Sequence, residues 1–153
     1  MWNKCTRRPR IIASILKVDT LTGVRTAGSI SVTGEGNSTT TNLQQGLAKA
    51  WASFDQDSSG HPVYDSLNIA STTDVTTGIT KIAFTNAMNN ALFSITGACQ
   101  TQNESGAIFG THGGDTGSSR QMTTNDFHTD NRTQSGSGRD VEYSGSSVFG
   151  DLA

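Results

Sequence analysis

The chain has 153 residues, 33% of them hydrophobic and 16% charged, with a formal net charge of −2. Serine and threonine together supply 40 residues and glycine another 17, while proline supplies 2. So polar a composition excludes a large apolar core, and it points to partial disorder or to stabilisation by self-association.

The charge is unevenly spread. Residues 1–25 hold six cations (Lys4, Arg7, Arg8, Arg10, Lys17 and Arg25) and one anion (Asp19), a net +5, which leaves −7 for the rest. A basic arm on an acidic body can mark a nucleic-acid binder. This arm has no aromatic residue beyond Trp2 and no nucleic-acid motif, so an acidic docking partner or a solvated terminus fits better. No nucleic-acid partner is expected. The apolar run from Ile11 to Leu16 stops at Lys17 and is too short for a secretory signal. No stretch is long and apolar enough to span a bilayer, so no membrane insertion is expected. Cys5 and Cys99 form neither a disulfide framework nor a metal knuckle; the pattern predicts two reduced thiols, Cys99 in a strand.

Residues 11–46 form a first unit with two runs of β character, Ile11 to Val18 and Ser29 to Thr33, divided by glycines. It has too few apolar residues for a core of its own. Residues 47–100 carry the densest strand signal. LAKAWASFD sets Leu47, Lys49, Trp51 and Ser53 against Ala48, Ala50, Ala52 and Phe54; helix propensity over Gln44 to Ala52 competes with that strand. VYDSLNIA reads as one strand with Val63, Leu67 and Ile69 on one face. TKIAFT joins Ile82 to Phe84, and ALFSITGACQ sets Leu92 against Phe93 and Ile95. TTDVTTG and NAMNNA read as dividers, with a helical turn over Asn86 to Asn90. Residues 101–125 read as a loop anchored by Ile108 and Phe109. Two last strands are expected over Phe127 to Thr133 and Val141 to Phe149. Strands at this spacing predict an all-β sandwich or barrel of antiparallel hairpins.

One short stretch resembles a metal site. In DQDSSG, Asp55, Asp57, Ser59 and Gly60 fall on positions 1, 3, 5 and 6 of an EF-hand loop. An EF-hand also needs flanking helices and a bidentate glutamate at position 12. Position 12 is Ser66, position 8 is Pro62, and the flanks alternate like strands. Aspartate, serine and glycine are also the residues of a tight turn, and a hairpin turn is the reading adopted. His61, His112 and His128 lack zinc-ligand spacing. No nucleophile elbow or phosphate loop is present. Asp126 and Asp130 flank His128 and read as strand-edge charges. No catalytic residue, metal or cofactor is expected. The aromatic residues Trp51, Tyr64, Phe109 and Tyr143 could serve as carbohydrate platforms, with core packing favoured for Trp51 and Tyr64.

Two segments resemble a known family. SILKVDTLTG with SISVTGEGN (residues 14–37) is similar to the start of tail-fibre-like virion proteins of marine bacteriophages and cyanophages. GLAKAWASFDQDSSGHPVYDSLNIASTTDVTTGITKIAFTNAM (residues 46–88) resembles a β-domain of the same proteins, and DVEYSGSSVFGD (residues 140–151) resembles its last strand. Residues 101–125 are unmatched, the basic stretch Met1 to Ile12 precedes the usual start, and NNALF replaces the usual Asp/Asn-x-Tyr.

The resemblance implies a virion structural protein of fibre or spike type, homotrimeric, with no enzymatic activity. It implies three parts: a basic arm (1–13), an extended β segment for attachment and trimerisation (14–46), and an antiparallel β-domain (47–153). Lys4, Arg7, Arg8 and Arg10 would attach to other virion proteins of the tail or head. Loops 57–61 and 103–120, with His61, Phe109, His112 and Asp115, would contact a host-surface glycan or receptor. A capsid decoration protein or tail adaptor is the alternative. If the first unit builds the trimer, deleting residues 1–46 lowers the oligomeric mass measured by light scattering; a truncated body that stays trimeric reduces the arm to attachment alone.

Overall fold

The computed structural model describes residues 16–23, 30–33, 39–100, 108–111 and 122–152. The basic arm with Lys4, Arg7, Arg8 and Arg10 lies outside them, as do Cys5, His112 and Asp115.

Among the described residues of the first unit, regular structure is confined to two short strands and one helical turn. Leu16 to Val18, the described end of the first expected strand, form no strand and are exposed. β1 (Ser31–Thr33) pairs antiparallel with β2 (Thr40–Asn42), Val32 opposite Thr41, and neither buries a residue. The helix propensity after it yields only α1 (Leu43–Gly46), a single turn. An isolated two-stranded ribbon of this kind gains little from burial.

From Ala50 onward the chain builds two antiparallel four-stranded sheets. The first is ordered β4 (Val63–Leu67), β3 (Ala50–Phe54), β10 (Tyr143–Phe149), β7 (Ser94–Gln100). The second is ordered β5 (Ile69–Thr76), β6 (Ile79–Phe84), β9 (Asp126–Arg132), β8 (Ile108–Thr111). Each sheet keeps two edges, so the fold is a sandwich and not a closed barrel. The alternation in β3 falls as its sequence dictates: Ala50, Ala52 and Phe54 are buried and Trp51 and Ser53 face outward. Ile82 and Phe84 of β6 meet them from the opposite sheet, together with Phe127 of β9. Phe84, Phe93 and Phe127 form an aromatic cluster with centroids 5.5–6.3 Å apart and two edge-to-face pairs.

That apolar cluster fills one part of the core. Another part is polar and wholly enclosed. Gln56 Nε2 donates to Thr80 Oγ1 at 3.0 Å, and Thr80 Oγ1 lies 2.8 Å from His61 Nδ1. Asn131 Nδ2 donates to Gln56 Oε1 at 2.8 Å and to Ser144 Oγ at 3.1 Å. Gln56, His61, Thr80, Asn131 and Ser144 are all at most 3% exposed. The network therefore joins β6 and β9 of one sheet to β10 of the other through side chains that the composition supplies in abundance.

Two expectations fail for the same local reason. VYDSLNIA is not one strand. Asn68 adopts a left-handed backbone (φ 58°), which asparagine tolerates better than most residues, and the chain changes sheet there. The corner is tied down: Asn68 Nδ2 donates to the Lys49 and Asn86 carbonyls at 3.2 and 3.1 Å, and its Oδ1 accepts from the Asn86 amide at 2.7 Å. Leu67 consequently stays exposed while Ile69 packs against the core, so Val63, Leu67 and Ile69 do not share a face. TTDVTTG, read as a divider, is mostly strand; β5 runs to Thr76 and turns at Gly78 (φ 82°) into β6. A side chain at Gly78 would meet the Asn131 carbonyl oxygen.

Residues 86–90 form bends with a Met88–Leu152 bridge and no helical turn. Ile108 and Phe109 belong to strand β8 rather than to a loop. Replacing Phe127 by alanine is expected to cost about 3–5 kcal/mol in a urea or thermal melt, because two ring contacts and a buried volume go at once. Thr73→Ala, on the exposed side of β5, should change stability by less than about 0.5 kcal/mol.

Candidate functional site

The DQDSSG stretch is a turn closed by its own aspartate. Asp55 Oδ1 accepts from the Asp57 and Ser58 amides at 2.9 and 3.0 Å, and Asp55 Oδ2 accepts from the Ser58 hydroxyl at 2.7 Å. Gly60 (φ 81°) and His61 (φ 48°) complete the reversal with left-handed backbone. Both carboxylate oxygens are thus engaged within the turn. Among the described residues no three histidine, cysteine or acidic side chains gather as a metal would need.

The turn also decides the orientation of His61. Its left-handed backbone carries the imidazole inward, where it is 3% exposed and bonded to Thr80. Its carbonyl accepts from Thr72 Oγ1 at 2.6 Å, and Nε2 lies 3.8 Å from Asp74 Oδ1. His61 is therefore a core residue, and its side chain is not part of a surface formed by loop 57–61.

Phe109 is likewise not an exposed loop aromatic. It lies on β8 opposite Asn131, and its ring sits against Gly97 of β7, where a Cβ would fall 2.4 Å from Phe109 Cζ. The glycine leaves room for the ring, and the ring bridges the neighbouring edges of the two sheets. His112 and Asp115 lie outside the described residues. Of the two expected contact residues among those described, His61 is buried in the sandwich and Phe109 is half-buried at its margin.

The two outer faces differ in character. On the outside of β6 and β9, Lys81 pairs with Asp126 at 3.1 Å and Arg132 with Asp130 at 2.9 Å. Asp126, His128 and Asp130 sit on β9, an interior strand, so they are not strand-edge charges. His128 is only 9% exposed.

The outer face of β3, β10 and β7 carries a shallow, solvent-open depression of about 450 Å³. Register explains its lining. Trp51 is opposite Ser147, which is opposite Thr96; Ser53 is opposite Gly145, which is opposite Ala98. These alternate with the buried Ala52 and Ser146 and with Gly97, so the small side chains form a floor. Trp51 and Tyr143 stand at its two ends. Tyr143 is 41% exposed, and its ring lies over Gly145, where a Cβ would be 3.1 Å from the Tyr143 hydroxyl. Trp51 is therefore not a core residue. The signal for this was already in the sequence, because Trp51 falls out of phase with Ala50, Ala52 and Phe54. Tyr64 is also exposed, and its hydroxyl donates to the Glu142 carbonyl at 3.3 Å.

Cys99, on β7 as expected, has its thiol pushed up by burial. No protein-family model, curated protein or solved structure matches the chain.

The Asp55 turn gives a pH dependence. Desolvation raises the Asp55 pKa, but the Ser58 hydroxyl and the Ser58 and Asp57 amides, with Tyr64, together outweigh it and hold it below 3.8. A depressed carboxylate pKa stabilises the fold above the unfolded value, and that stability is lost as pH falls through the folded value. Asp55→Ala is expected to lower stability at neutral pH by no more than about 1 kcal/mol, since the turn is open to solvent. In urea melts the gap to the parent closes as pH drops below 3.8.

Proposed function

We propose that this protein is a virion structural protein of the phage tail-fibre or spike type, whose β-sandwich binds a host surface. Its N-terminal part attaches to the particle and its copies assemble as a homotrimer. The resemblance over residues 14–151 supports the virion assignment. The observation that carries the binding role is the outer face of the β4-β3-β10-β7 sheet. There Trp51 and Tyr143 flank a floor of small side chains that is open to solvent. Large aromatic residues on an outer sheet face add nothing to the inter-sheet core, whereas they are strong anchors in a recognition surface.

The host-facing surface in this reading is the sheet face together with the connection after β7. Gold labelling of intact particles with an antibody to residues 103–120 is expected to decorate the tail. Label over the head instead would make the chain a capsid decoration protein, and particles that contain the protein without taking label would make it an internal adaptor.

A further inference from the structure

We infer that the depression on the outer face of β3, β10 and β7 is a saccharide site for a neutral, unbranched oligosaccharide segment. The inference rests on the reading of the β-domain as a binding module, and not on its place in a particle.

The first argument is shape. A depression of about 450 Å³ is of ligand size, and it is open along the sheet instead of closing around one small molecule. Trp51 lies beside Ser147, and the step from Ser147 to Tyr143 along β10 is roughly 13 Å at ~3.3 Å per strand residue. The Tyr143 ring leans back over Gly145, so the two aromatic platforms lie closer together than their backbones, along one elongated floor. Gly145 lets the Tyr143 ring lie along the floor, since any Cβ there would meet that ring at 3.1–3.5 Å. The other face of the ring is left to solvent, which is the surface on which the C–H face of a pyranose stacks.

The second argument is chemistry. Between the platforms stand the hydroxyls of Ser53, Thr96 and Ser147. Each can donate and accept, as sugar hydroxyls do. No residue lining the depression is charged. An anionic sugar would give up hydration there with no cation to meet it, so a neutral one is selected. The charged outer face of β6 and β9 makes the contrast within one molecule.

The third argument excludes an extended peptide. Peptides that add to sheets use unpaired backbone groups at an edge. β3 and β10 are interior strands, with neighbours on both sides, so their backbone groups are already engaged in ladders. Over β3 and β10 the floor offers side chains alone, and only the edge strand β7 at its margin keeps backbone groups that a peptide could pair with.

The test uses the full chain with Trp2→Phe, so that Trp51 is the sole indole. Maltotriose, cellotriose and mannotriose are the neutral probes and sialyllactose the anionic one. Saturation-transfer NMR reports contact, and tryptophan emission reports the site. At least one neutral trisaccharide is expected to take saturation and to shift the Trp51 emission. Tyr143→Ala removes one platform and Gly145→Val fills the floor; each should weaken binding about tenfold or more while the melting curve stays cooperative.

Failure of every neutral probe overturns the inference, as does a response to sialyllactose alone, or unchanged binding in both folded variants. Loss of oligomeric mass in Gly145→Val without any saccharide binding also overturns it, and assigns the face to contact between copies of the chain. Saccharide binding by a protein that never labels particles would sustain this site and sink the virion reading. Tail labelling without saccharide binding would do the reverse.

Discussion

The sandwich depends on a polar interior that is hydrogen-bonded across its two sheets. A chain with 33% hydrophobic residues cannot line both inner faces with aliphatic side chains. It uses Phe54, Ile82, Phe84, Phe93, Phe127 and Val148 where it has them, and Gln56, Thr80, Asn131, Ser144 and His61 elsewhere. Buried amides and hydroxyls cost free energy unless they are bonded. Both ends of the Gln56 amide and the Asn131 amide nitrogen meet that condition by bonding to each other and to hydroxyls of both sheets, while Asn131 Oδ1 is left without a hydrogen bond among the described residues. Such a core tolerates little rearrangement, because shifting one strand would orphan several polar groups together.

The same economy explains the contrast between inside and outside. Serine and threonine inside the sandwich act as hydrogen-bonding cement. On the outer face of β3, β10 and β7 the same residue types are left open between two aromatic rings. Residue type alone does not separate these roles; strand phase does. Ser144 and Ser146 point inward while Ser147 lines the depression, and Ala52 is buried while its neighbours Trp51 and Ser53 are not.

Much of the fold was legible where apolar residues keep a strict alternation. Ala50, Ala52 and Phe54 announce β3 and its inner face, and Ile82 with Phe84 does the same for β6. The polar half of the core was not legible, because hydropathy marks Gln56, Thr80 and Asn131 as surface residues and only long-range pairing makes them interior. The corner at Asn68 was hidden for a related reason. Its left-handed backbone is set by bonds to Lys49 and Asn86, far off in sequence. The candidate site was half visible. The alternation turned Trp51 outward, but the placement of Tyr143 and Thr96 beside it needed the register of β10 against β3 and β7. His61 and Phe109 looked like loop residues because glycine, proline and polar neighbours surround them; a reversed backbone turns His61 inside, and a glycine on the facing strand lets the half-buried Phe109 ring pack between the sheets.

The pairing of β3 with β10 has a consequence for how the molecule comes into being. The first strand of the sandwich and its last are hydrogen-bonded neighbours in the middle of one sheet, Ala50 opposite Val148. Until β10 has emerged from the ribosome, β3 and β7 have no common partner, and the polar interior lacks Ser144. Folding of this domain is therefore a late, collective event governed by the slowest of its long-range closures. During synthesis its strand-forming segments wait with open edges, which is when neighbouring nascent copies can find one another.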